Sequence, residues 1–521
     1  MRIGILSVYV DYHRRGRKNR VSLQPQIGPL LAGLLPRDVE IDIINEQWAD
    51  PDWRKDYDLL FISALHPDFD RARQISHYWR RRGAKTVIGG AFASSYPELC
   101  APYFDAVVVG DPESTVPALY EDFCAGRLRP HYVAKPYRAE AVRTPRFDLM
   151  VGRALHPLIF EATRGCPFTC EFCVLTGQGT RFETRPVAQV LRDLYAGQRM
   201  LHGLIPDYQR RIVGFTDNNI GGSFSWLREF CAAIEPLGLQ WYGAASFNVI
   251  ASRDMLDRMA RAGCRSLFVG LESFNPDTLA DMNKRQNALH QVRRAIEDCL
   301  LRGILVVSGM MVSPLADDVA YIRALPEHLA DAGLYVPTFL CFESPIPGTP
   351  HFHRLAATPD AFLPNVLLRD LSGYTLSVRP RRAPVEEFVA AYLETYRVLF
   401  SRRRRLRKLL HDLPRLLGRG YWFPAAIDIG DMWTMQAADA SAPTRTYVAG
   451  TDTPPPECVP LEVSDFDSEE DYDRIMQPWA VTDETGEVLP VWRRSHVVHP
   501  PAVHPRVARA TASDASALMD S

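Results

Sequence analysis

Short apolar runs alternate with amphipathic stretches through the first 135 residues of the chain. The apolar runs are rich in β-branched residues and have the length of buried strands. We predict strands at 3–10, 39–44, 59–63, 86–88 and 106–109, with helices at 26–35 and 68–82 between them. Strands that alternate with helices predict a parallel, doubly wound sheet, whose ligands bind beyond the carboxyl ends of the strands.

A second alternating series begins after a linker that we predict at 130–145. Its strands are expected at 158–162, 212–216, 241–246, 266–271, 305–311 and 336–342, with helical patterns such as 187–201 and 254–262 between them. Six βα repeats predict a partial (β/α) barrel, in which the chemistry gathers at the C-terminal ends of the strands. Polar residues stand at those ends, among them Asp217-Asn218-Asn219, Glu272-Ser273 and Glu343-Ser344.

The pattern changes after the barrel series. Residues 353–435 are mostly helical, and we predict that this region caps the barrel. Residues 436–521 are rich in proline and acidic residues and have weak periodicity, which predicts a partly disordered tail. The chain is therefore expected to consist of an α/β domain at 1–135, a barrel at 150–352, the helical region and the tail.

Composition narrows the class of protein. The chain has 60 basic and 62 acidic residues and a pI of about 6.7, a balance that gives no argument for a nucleic-acid partner. Ten cysteines in 521 residues are too sparse for a disulfide framework. The apolar run at the N-terminus is short and broken by polar residues, and no stretch is long enough to span a bilayer, so we expect a cytoplasmic protein.

Three of the ten cysteines are clustered after the first strand of the barrel series. Cys166, Cys170 and Cys173 have the spacing C-x3-C-x2-C, beside Gly165 and Pro167, which favour a short bent loop. Thiolates are the ligands of iron–sulfur clusters, and three of them leave one iron of a [4Fe–4S] cluster open. That iron can chelate the amino and carboxylate groups of S-adenosylmethionine (SAM). The alternative is a zinc site, but structural zinc takes four ligands in two pairs, and the next cysteine is Cys231.

With these cysteines, residues 1–350 resemble the radical SAM superfamily, specifically its members with an N-terminal cobalamin (B12)-binding domain. Four further phrases carry the resemblance: Phe215-Thr216-Asp217-Asn218-Asn219, Gly270-Leu271-Glu272-Ser273, Lys284-Arg285-Gln286-Asn287 and Pro345-Ile346-Pro347-Gly348-Thr349-Pro350. The resemblance implies a Rossmann-like B12-binding domain, a radical SAM (β/α)6 barrel and a mostly helical C-terminal region. It also implies that Glu272 and Ser273, with Asp217, bind SAM. For Glu272 the alternative is a salt bridge at the barrel mouth.

The sequence departs from the family at the fifth barrel strand. That strand ends Met310-Met311-Val312-Ser313-Pro314, where relatives often have a glycine followed by an acidic pair. An acidic pair is present slightly later, as Asp317-Asp318. The departure leaves the residues that contact the adenine of SAM open.

Three short phrases resemble cobalamin-binding domains. Asp11-Tyr12-His13-Arg14-Arg15-Gly16 has the form D-x-H-x-x-G, Ser63-Ala64-Leu65 has the form S-x-L, and Gly89-Gly90 follows a strand. Paired glycines allow the nucleotide tail of cobalamin to approach the backbone closely. The resemblance implies either that His13 ligates cobalt, with Asp11 as its partner, or that this stretch is a basic surface loop.

The function implied by the resemblance is a cobalamin-dependent methyltransferase that acts on an unactivated carbon of a small-molecule, natural-product or lipid substrate. Its cofactors would be the cluster, SAM and cobalamin, and its electron donor a flavodoxin or ferredoxin. A non-methylating rearrangement or oxidative cyclisation on the same scaffold is the first alternative, and a non-catalytic B12 or Fe–S binding protein the second. The sequence does not identify catalytic side chains, the substrate or the oligomeric state.

A basic amphipathic segment lies near the end of the predicted helical region. Between 401 and 417, arginines alternate with leucines, and Leu406, Leu409, Leu410 and Leu413 fall on one helical face. Either the leucines pack on the barrel and the basic face is solvated, or the helix contacts an anionic membrane surface or a phosphate-bearing substrate.

Overall fold

A six-stranded parallel sheet forms the N-terminal part of the structure, a computed structural model that describes residues 1–9, 26–153, 156–439 and 447–448. The strands have the order β2-β1-β3-β4-β5-β6. They are β1 Arg2–Ser7, β2 Glu40–Asn45, β3 Leu59–Ser63, β4 Lys85–Gly89, β5 Ala106–Val109 and β6 His131–Val133. The helices are α1 Ile27–Leu34, α2 Phe69–Arg81, α3 Ala91–Ser95, α4 Pro97–Cys100 and α5 Pro112–Cys124.

Both faces of this sheet are buried, which explains why its strands are apolar throughout. Ile5 and Phe61 belong to one hydrophobic core, whereas Leu6 and Leu60 belong to the other, as the two-residue period of a strand requires. The doubly wound sheet is therefore confirmed. The linker predicted at 130–145 is wrong at its start, because His131–Val133 forms the edge strand β6. Three residues are too few to produce a readable strand pattern.

The second series folds as the predicted partial barrel. Its strands are β7 Ile159–Phe160, β10 Ile212–Phe215, β11 Gln240–Ala245, β12 Cys264–Val269, β13 Leu305–Val307, β14 Gly309–Val312 and β15 Phe339–Phe342. Parallel ladders run in the order β13-β12-β11-β10-β7, and β14 pairs with β15. Between β8 Thr163–Arg164 and β9 Glu183–Thr184 lies the cysteine loop.

The fifth barrel strand is divided into β13 and β14 rather than continuous over 305–311. The break falls at Ser308, whose hydroxyl accepts a hydrogen bond from the Leu271 backbone N–H at 3.3 Å. The helices around the barrel are α6 Val174–Gly177, α7 Val187–Met200, α8 Phe224–Ile234, α9 Phe247–Ala251, α10 Arg253–Arg261, α11 Pro276–Asp281, α12 Val292–Leu301, α13 Val319–Asp331 and α14 Pro350–Ala356.

The C-terminal region reaches both ends of the barrel. Its elements are β16 Thr375–Leu376, α15 Val385–Leu399, α16 Arg402–Leu417, α17 Trp422–Asp439 and β17 Tyr447–Val448. The segment before α15 lies near the C-terminal strand ends, since the Phe342 N–H donates to the Gly373 carbonyl. By contrast, Tyr421 stacks against Arg265 at the start of β12, and Arg404 donates to the Tyr335 carbonyl before β15. Helices α16 and α17 therefore lie at the end of the barrel opposite its mouth.

Helix α16 buries only part of the face that its leucines predict. Leu406 and Leu410 are 57% and 66% exposed, whereas Arg404, Arg405 and Lys408 are buried. Buried charges require partners, and Lys408 has them in Asp412, at 3.0 Å, and in Asp428. The expectation that the leucines pack on the barrel holds for Leu413, which packs with Leu416 against Leu300 of α12. It is wrong for Leu406 and Leu410, because buried ion pairs and carbonyl acceptors hold the basic residues inward. None of the helices in the described residues is long and apolar enough to cross a membrane.

Candidate functional site

The three clustered cysteines lie in the loop between β8 and α6, directly after the first barrel strand. A left-handed backbone at Gly165, with φ of +80°, turns the chain into this loop. A Cβ there would lie 2.1 Å from the Arg181 carbonyl oxygen, so only glycine fits. Burial raises the pKa of the Cys166 and Cys170 thiols. Coordination to a metal would offset that effect, because it deprotonates a thiol outright.

The spacing of the thiols argues against a single zinc ion. Zinc bound tetrahedrally with Zn–S bonds of about 2.3 Å holds its sulfurs about 3.8 Å apart. Among the described residues, the one group of three potential ligands whose atoms lie within 4.8 Å of one another is Asp281, Glu343 and His351, not the cysteines. The wider spacing of Cys166, Cys170 and Cys173 suits a multinuclear cluster.

Arg354 already places a positive charge against the group formed by Asp281, Glu343 and His351. Arg354 donates to both carboxylate oxygens of Asp281, at 2.7 and 3.1 Å, and lies 3.1 Å from His351 Nδ1. Burial raises the pKa of Glu343 to about 7 and lowers that of His351 to about 4. Arg354 also lies 3.4 Å from the carboxylate of Glu171 in the cysteine loop. We therefore interpret this group, together with Arg354, as structural support for the cysteine loop.

Arg164, two residues before the first cysteine, anchors the loop to the N-terminal domain. Its guanidinium makes paired hydrogen bonds to Glu113, at 2.7 and 3.0 Å, and to Glu161, at 2.6 and 3.0 Å. Asp111 lies 3.2 Å away, and the Tyr137 ring packs 4.3 Å from the guanidinium carbon. A fork of donors matched to two carboxylates fixes orientation as well as distance. No pattern in the sequence marks this arginine as an anchor.

Asp217 supports the cysteine loop through hydrogen bonds to the residues that precede it. It is 2% exposed, and it accepts hydrogen bonds from the Thr163 hydroxyl at 2.6 Å and from the Ala162 N–H at 3.1 Å. Burial raises its pKa to about 7. Because these contacts occupy the carboxylate, the structure places Asp217 in support of the loop rather than at the open mouth.

Glu272 occupies the end of β12 in an unusual backbone conformation, with φ of +63°. Its Oε1 accepts a hydrogen bond from Lys284 Nζ at 2.8 Å, and both side chains are about 10% exposed. The salt bridge considered as the alternative for Glu272 is thus present. In the part of the chain that the structure describes, its Oε2 accepts no hydrogen bond, which leaves that oxygen for a ligand.

Ser273 and the acidic pair that follows the fifth strand are engaged within the protein. The Ser273 hydroxyl is fully buried and lies 2.8 Å from the Tyr321 hydroxyl. Asp317 accepts from Thr278 and Asn275, and Asp318 caps α13 by accepting from the Tyr321 N–H. These side chains shape the loops at the barrel mouth, and the structure does not bring the Ser273 hydroxyl to its surface.

Two side-chain amides lie against the cysteine sulfurs. Neither residue was predicted to belong to the site. Asn219 Nδ2 lies 3.7 Å from Cys166 Sγ, and Gln286 Nε2 lies 3.7 Å from Cys170 Sγ. Both belong to phrases that carry the family resemblance, the one after β10 and the one after α11. Their place in these phrases was the signal available in the sequence.

The carboxyl edge of the N-terminal sheet is lined by small residues and one exposed apolar side chain. Ser63 is in register with Gly89 on the neighbouring strand. Gly90 has φ of +107°, and a Cβ there would lie 3.3 Å from the Ala64 carbonyl oxygen. Leu65 is 57% exposed at this edge. Open backbone and exposed apolar surface fit a bulky ligand such as cobalamin. His13 lies outside the described residues.

This edge faces the barrel mouth across several direct contacts. Gln178, just after the cysteine loop, donates to the Ala91 carbonyl at 3.0 Å. The Thr216 hydroxyl at the end of β10 donates to the Gln26 side chain at 2.9 Å. His66, after β3, bonds to the Leu371 carbonyl at 2.7 Å. The carboxyl ends of the two sheets therefore face each other.

Residues 160–319 match the model of the radical SAM superfamily. Residues 160–319 are therefore a radical SAM domain. Among curated proteins, it is similar to bacteriochlorophyllide d C-8(2)-methyltransferase of Chlorobaculum tepidum, with 25% identity over 62% of this chain and 74% of the relative. It is also similar to hopanoid C-2 methylase of Rhodopseudomonas palustris, with 23% identity over 64% of each chain.

Solved structures of radical SAM enzymes share the fold. The methyltransferase TsrM from Kitasatospora setae, solved with cobalamin and a [4Fe-4S] cluster, has a TM-score of 0.57 and 16% identity over 84% of this chain and 99% of its own. The cobalamin-dependent enzyme OxsB, solved with aqua-cobalamin and SAM, has a TM-score of 0.55 and 14% identity over 85% of this chain and 78% of its own. The architecture expected from the sequence, with its helical C-terminal region, is that of these enzymes.

Proposed function

We propose that this protein is a cobalamin-dependent radical SAM methyltransferase that acts on an unactivated carbon of a small-molecule, natural-product or lipid substrate. The observation that carries the proposal is that two strand-end edges face each other, one lined by glycines and the other by the cysteine loop. Residues that would hold two different cofactors therefore lie at facing edges. The relatives named for methylation of a bacteriochlorophyllide and a hopanoid match this chain over 62% and 64% of its length.

On this proposal, Cys166, Cys170 and Cys173 hold the cluster, and the Oε2 of Glu272 contacts SAM. Ser63, Gly89 and Gly90 line the pocket for the cobalamin tail, and His13 stays a prediction for cobalt ligation. When bound, the cluster and SAM supply an organic radical, and cobalamin supplies the methyl group. The chain's own part is to orient these groups, through Arg164 and Asp217 at the cysteine loop and through Lys284 at Glu272.

Anaerobic loading of the purified full chain tests the proposal. After reconstitution with iron and sulfide, addition of hydroxocobalamin and desalting, we expect about four irons and about one cobalt per chain. Incubation with methyl-deuterated SAM and a reductant should then yield 5′-deoxyadenosine and, with the right substrate, a deuterated methyl product. Iron without retained cobalt would contradict the cobalamin part of the proposal.

Cysteine variants separate a bound cluster from iron that adheres non-specifically. Cys166→Ala, Cys170→Ala and Cys173→Ala should each lose most of the iron and all SAM cleavage, because each removes one of three ligands. Cys124→Ser is the matched control, since Cys124 is an exposed cysteine outside the loop. Equal iron in the control and the loop variants would argue against a cluster at this site.

A one-electron donor and a reducing compartment follow from the same chemistry. We infer that a flavodoxin or ferredoxin reduces the cluster in a cytoplasmic setting. The absence of a nucleic-acid partner stays a prediction, supported by the near balance of basic and acidic residues. Sedimentation of the loaded enzyme with each donor would measure the donor interaction and the oligomeric state together.

We also propose that α16 contacts an anionic membrane surface. Its outward face combines the exposed Leu406 and Leu410 with the exposed Arg403 and Arg407, which complement acidic lipid headgroups. The full chain should co-sediment with phosphatidylglycerol vesicles and not with phosphatidylcholine vesicles. Replacing both arginines with glutamate should abolish this binding, whereas binding that survives the replacement would contradict the proposal.

A further inference from the structure

Two of the three cysteine sulfurs each receive a side-chain amide. The Asn219 amide nitrogen reaches Cys166, and the Gln286 amide nitrogen reaches Cys170, both over 3.7 Å. In the part of the chain that the structure describes, Cys173 Sγ receives no side-chain amide. The inference that follows rests on the proposed function, because it assigns these sulfurs to a bound cluster.

The orientation of the Asn219 amide is determined by a neighbour that can only donate. Its Oδ1 lies 3.1 Å from the backbone nitrogen of Ser246 and 3.2 Å from the Ser246 hydroxyl. A backbone N–H cannot accept a hydrogen bond, so the amide oxygen must face Ser246. The NH2 group of Asn219, itself 1% exposed, must then point to Cys166 Sγ.

Gln286 lies between two residues whose side chains fix its loop. Lys284 before it forms the buried pair with Glu272, at 2.8 Å. Asn287 after it donates to the Leu271 carbonyl at 2.8 Å and to the Gly270 carbonyl at 3.2 Å. Anchors on both sides hold the Gln286 side chain over the cysteine loop and restrict the directions its amide can take.

An N–H group directed at a cluster sulfur acts on the reduction potential. One-electron reduction adds negative charge to the cluster and its thiolate ligands, and a donor stabilises the more negative state more strongly. We propose that Asn219 and Gln286 are positioning residues that raise the reduction potential of the cluster. Their removal makes the cluster harder to reduce without removing any of its ligands.

An anaerobic redox titration of the reconstituted full chain tests this proposal in the absence of SAM. Asn219→Ala, Gln286→Ala and the double variant are titrated, and the reduced cluster is followed by electron paramagnetic resonance. We expect the midpoint potential of each single variant to shift to a more negative value, and that of the double variant to shift further. Gln178→Ala is the matched control, because that amide donates to the Ala91 carbonyl and not to a sulfur.

Iron analysis of each protein separates the outcomes. Wild-type midpoints in both single variants, at full iron content, would overturn the proposal and leave the proposed function intact. Wild-type protein that never binds iron would instead contradict the proposed function. If an alanine variant loads poorly, Asn219→Leu and Gln286→Met keep the side-chain volume but lack the N–H group. A negative shift in these variants supports the proposal, and unchanged midpoints in them overturn it.

Discussion

The two strand-end edges that face each other are lined by different kinds of residue. After β3 and β4, the edge of the six-stranded sheet presents Ser63, Gly89, Gly90 and the exposed Leu65. Its acidic residues Asp111 and Glu113 follow β5 and pair with Arg164. The barrel edge presents carboxylates, amides and arginine, nearly all of them paired. On the proposed function, the first edge accepts its ligand by shape, whereas the second holds its ligands through fixed charges and donors. Substitutions at the barrel edge should therefore mainly reduce stability, whereas substitutions at the glycine edge should mainly reduce ligand binding.

The largest effect on stability is expected where the barrel edge meets the N-terminal domain. Arg164→Met leaves Glu113, Glu161 and Asp111 without their common partner, and the Glu113 side chain is only 4% exposed. Breaking a buried pair from one side costs about 3–5 kcal/mol. The free energy of unfolding, measured by urea denaturation, should fall by about that amount. Arg127→Met is the matched control, because that arginine is 71% exposed in its pair with Asp122 and should change stability little.

The next effect concerns pH and the carboxylates of the barrel. Burial raises the pKa of Glu343 to about 7, so between about pH 4.5 and 7 the folded protein keeps a proton that the unfolded chain releases. The stabilising contribution is present at lower pH and is lost as the pH rises through 7. The free energy of unfolding of the wild type should fall relative to that of Glu343→Gln, by up to about 1.4 kcal/mol per pH unit.

Urea denaturation at pH 5, 6 and 7 measures the Glu343 effect. Glu229→Gln, at an exposed glutamate, should follow the wild-type pH dependence throughout. Parallel curves for the wild type and Glu343→Gln would show that Glu343 ionises normally in the fold.

The smallest effect on stability is expected at the glycine edge, together with a clear effect on the ligand. Gly90→Ala places a Cβ at φ of +107° and 3.3 Å from the Ala64 carbonyl oxygen, a strain of about 2 kcal/mol. Gly126→Ala, at φ of +68° with open space around it, should cost about 1 kcal/mol. Retained cobalamin should fall in Gly90→Ala and not in Gly126→Ala. Equal retention in both variants would remove Gly90 from the pocket.

The local pattern of apolar and polar residues was enough to predict the strands of both sheets. The strands of both sheets have apolar runs whose faces are both buried, as at Ile5 and Leu6, so their existence could be predicted without any knowledge of their neighbours. The cysteine loop was predictable because its ligands lie within eight residues of each other. The three-residue strand β6 and the break at Ser308 carry too little pattern to be seen.

Pairing over long sequence distances could not be predicted. Arg164 and Glu113 are 51 residues apart, and a charged residue in sequence looks the same whether its partner is a carboxylate or water. Helix α16 shows the consequence most clearly, because the buried partners of Lys408 include Asp428 on the next helix. The pattern of leucines predicted the burial of Leu413 but also that of Leu406 and Leu410, which are exposed. Asn219 and Asp217 illustrate the same point, since neighbouring residues proved to bond to a sulfur and to backbone N–H groups respectively.

The hydrogen bond between His66 and Leu371 joins residues that are 305 positions apart in the chain. The ribosome adds roughly 5–20 residues per second, so residue 371 follows residue 66 by roughly 15–60 s. The N-terminal sheet has time to fold while its carboxyl edge still lacks the barrel mouth opposite it. During synthesis, that edge stays open to solvent until the barrel residues that contact it have been made.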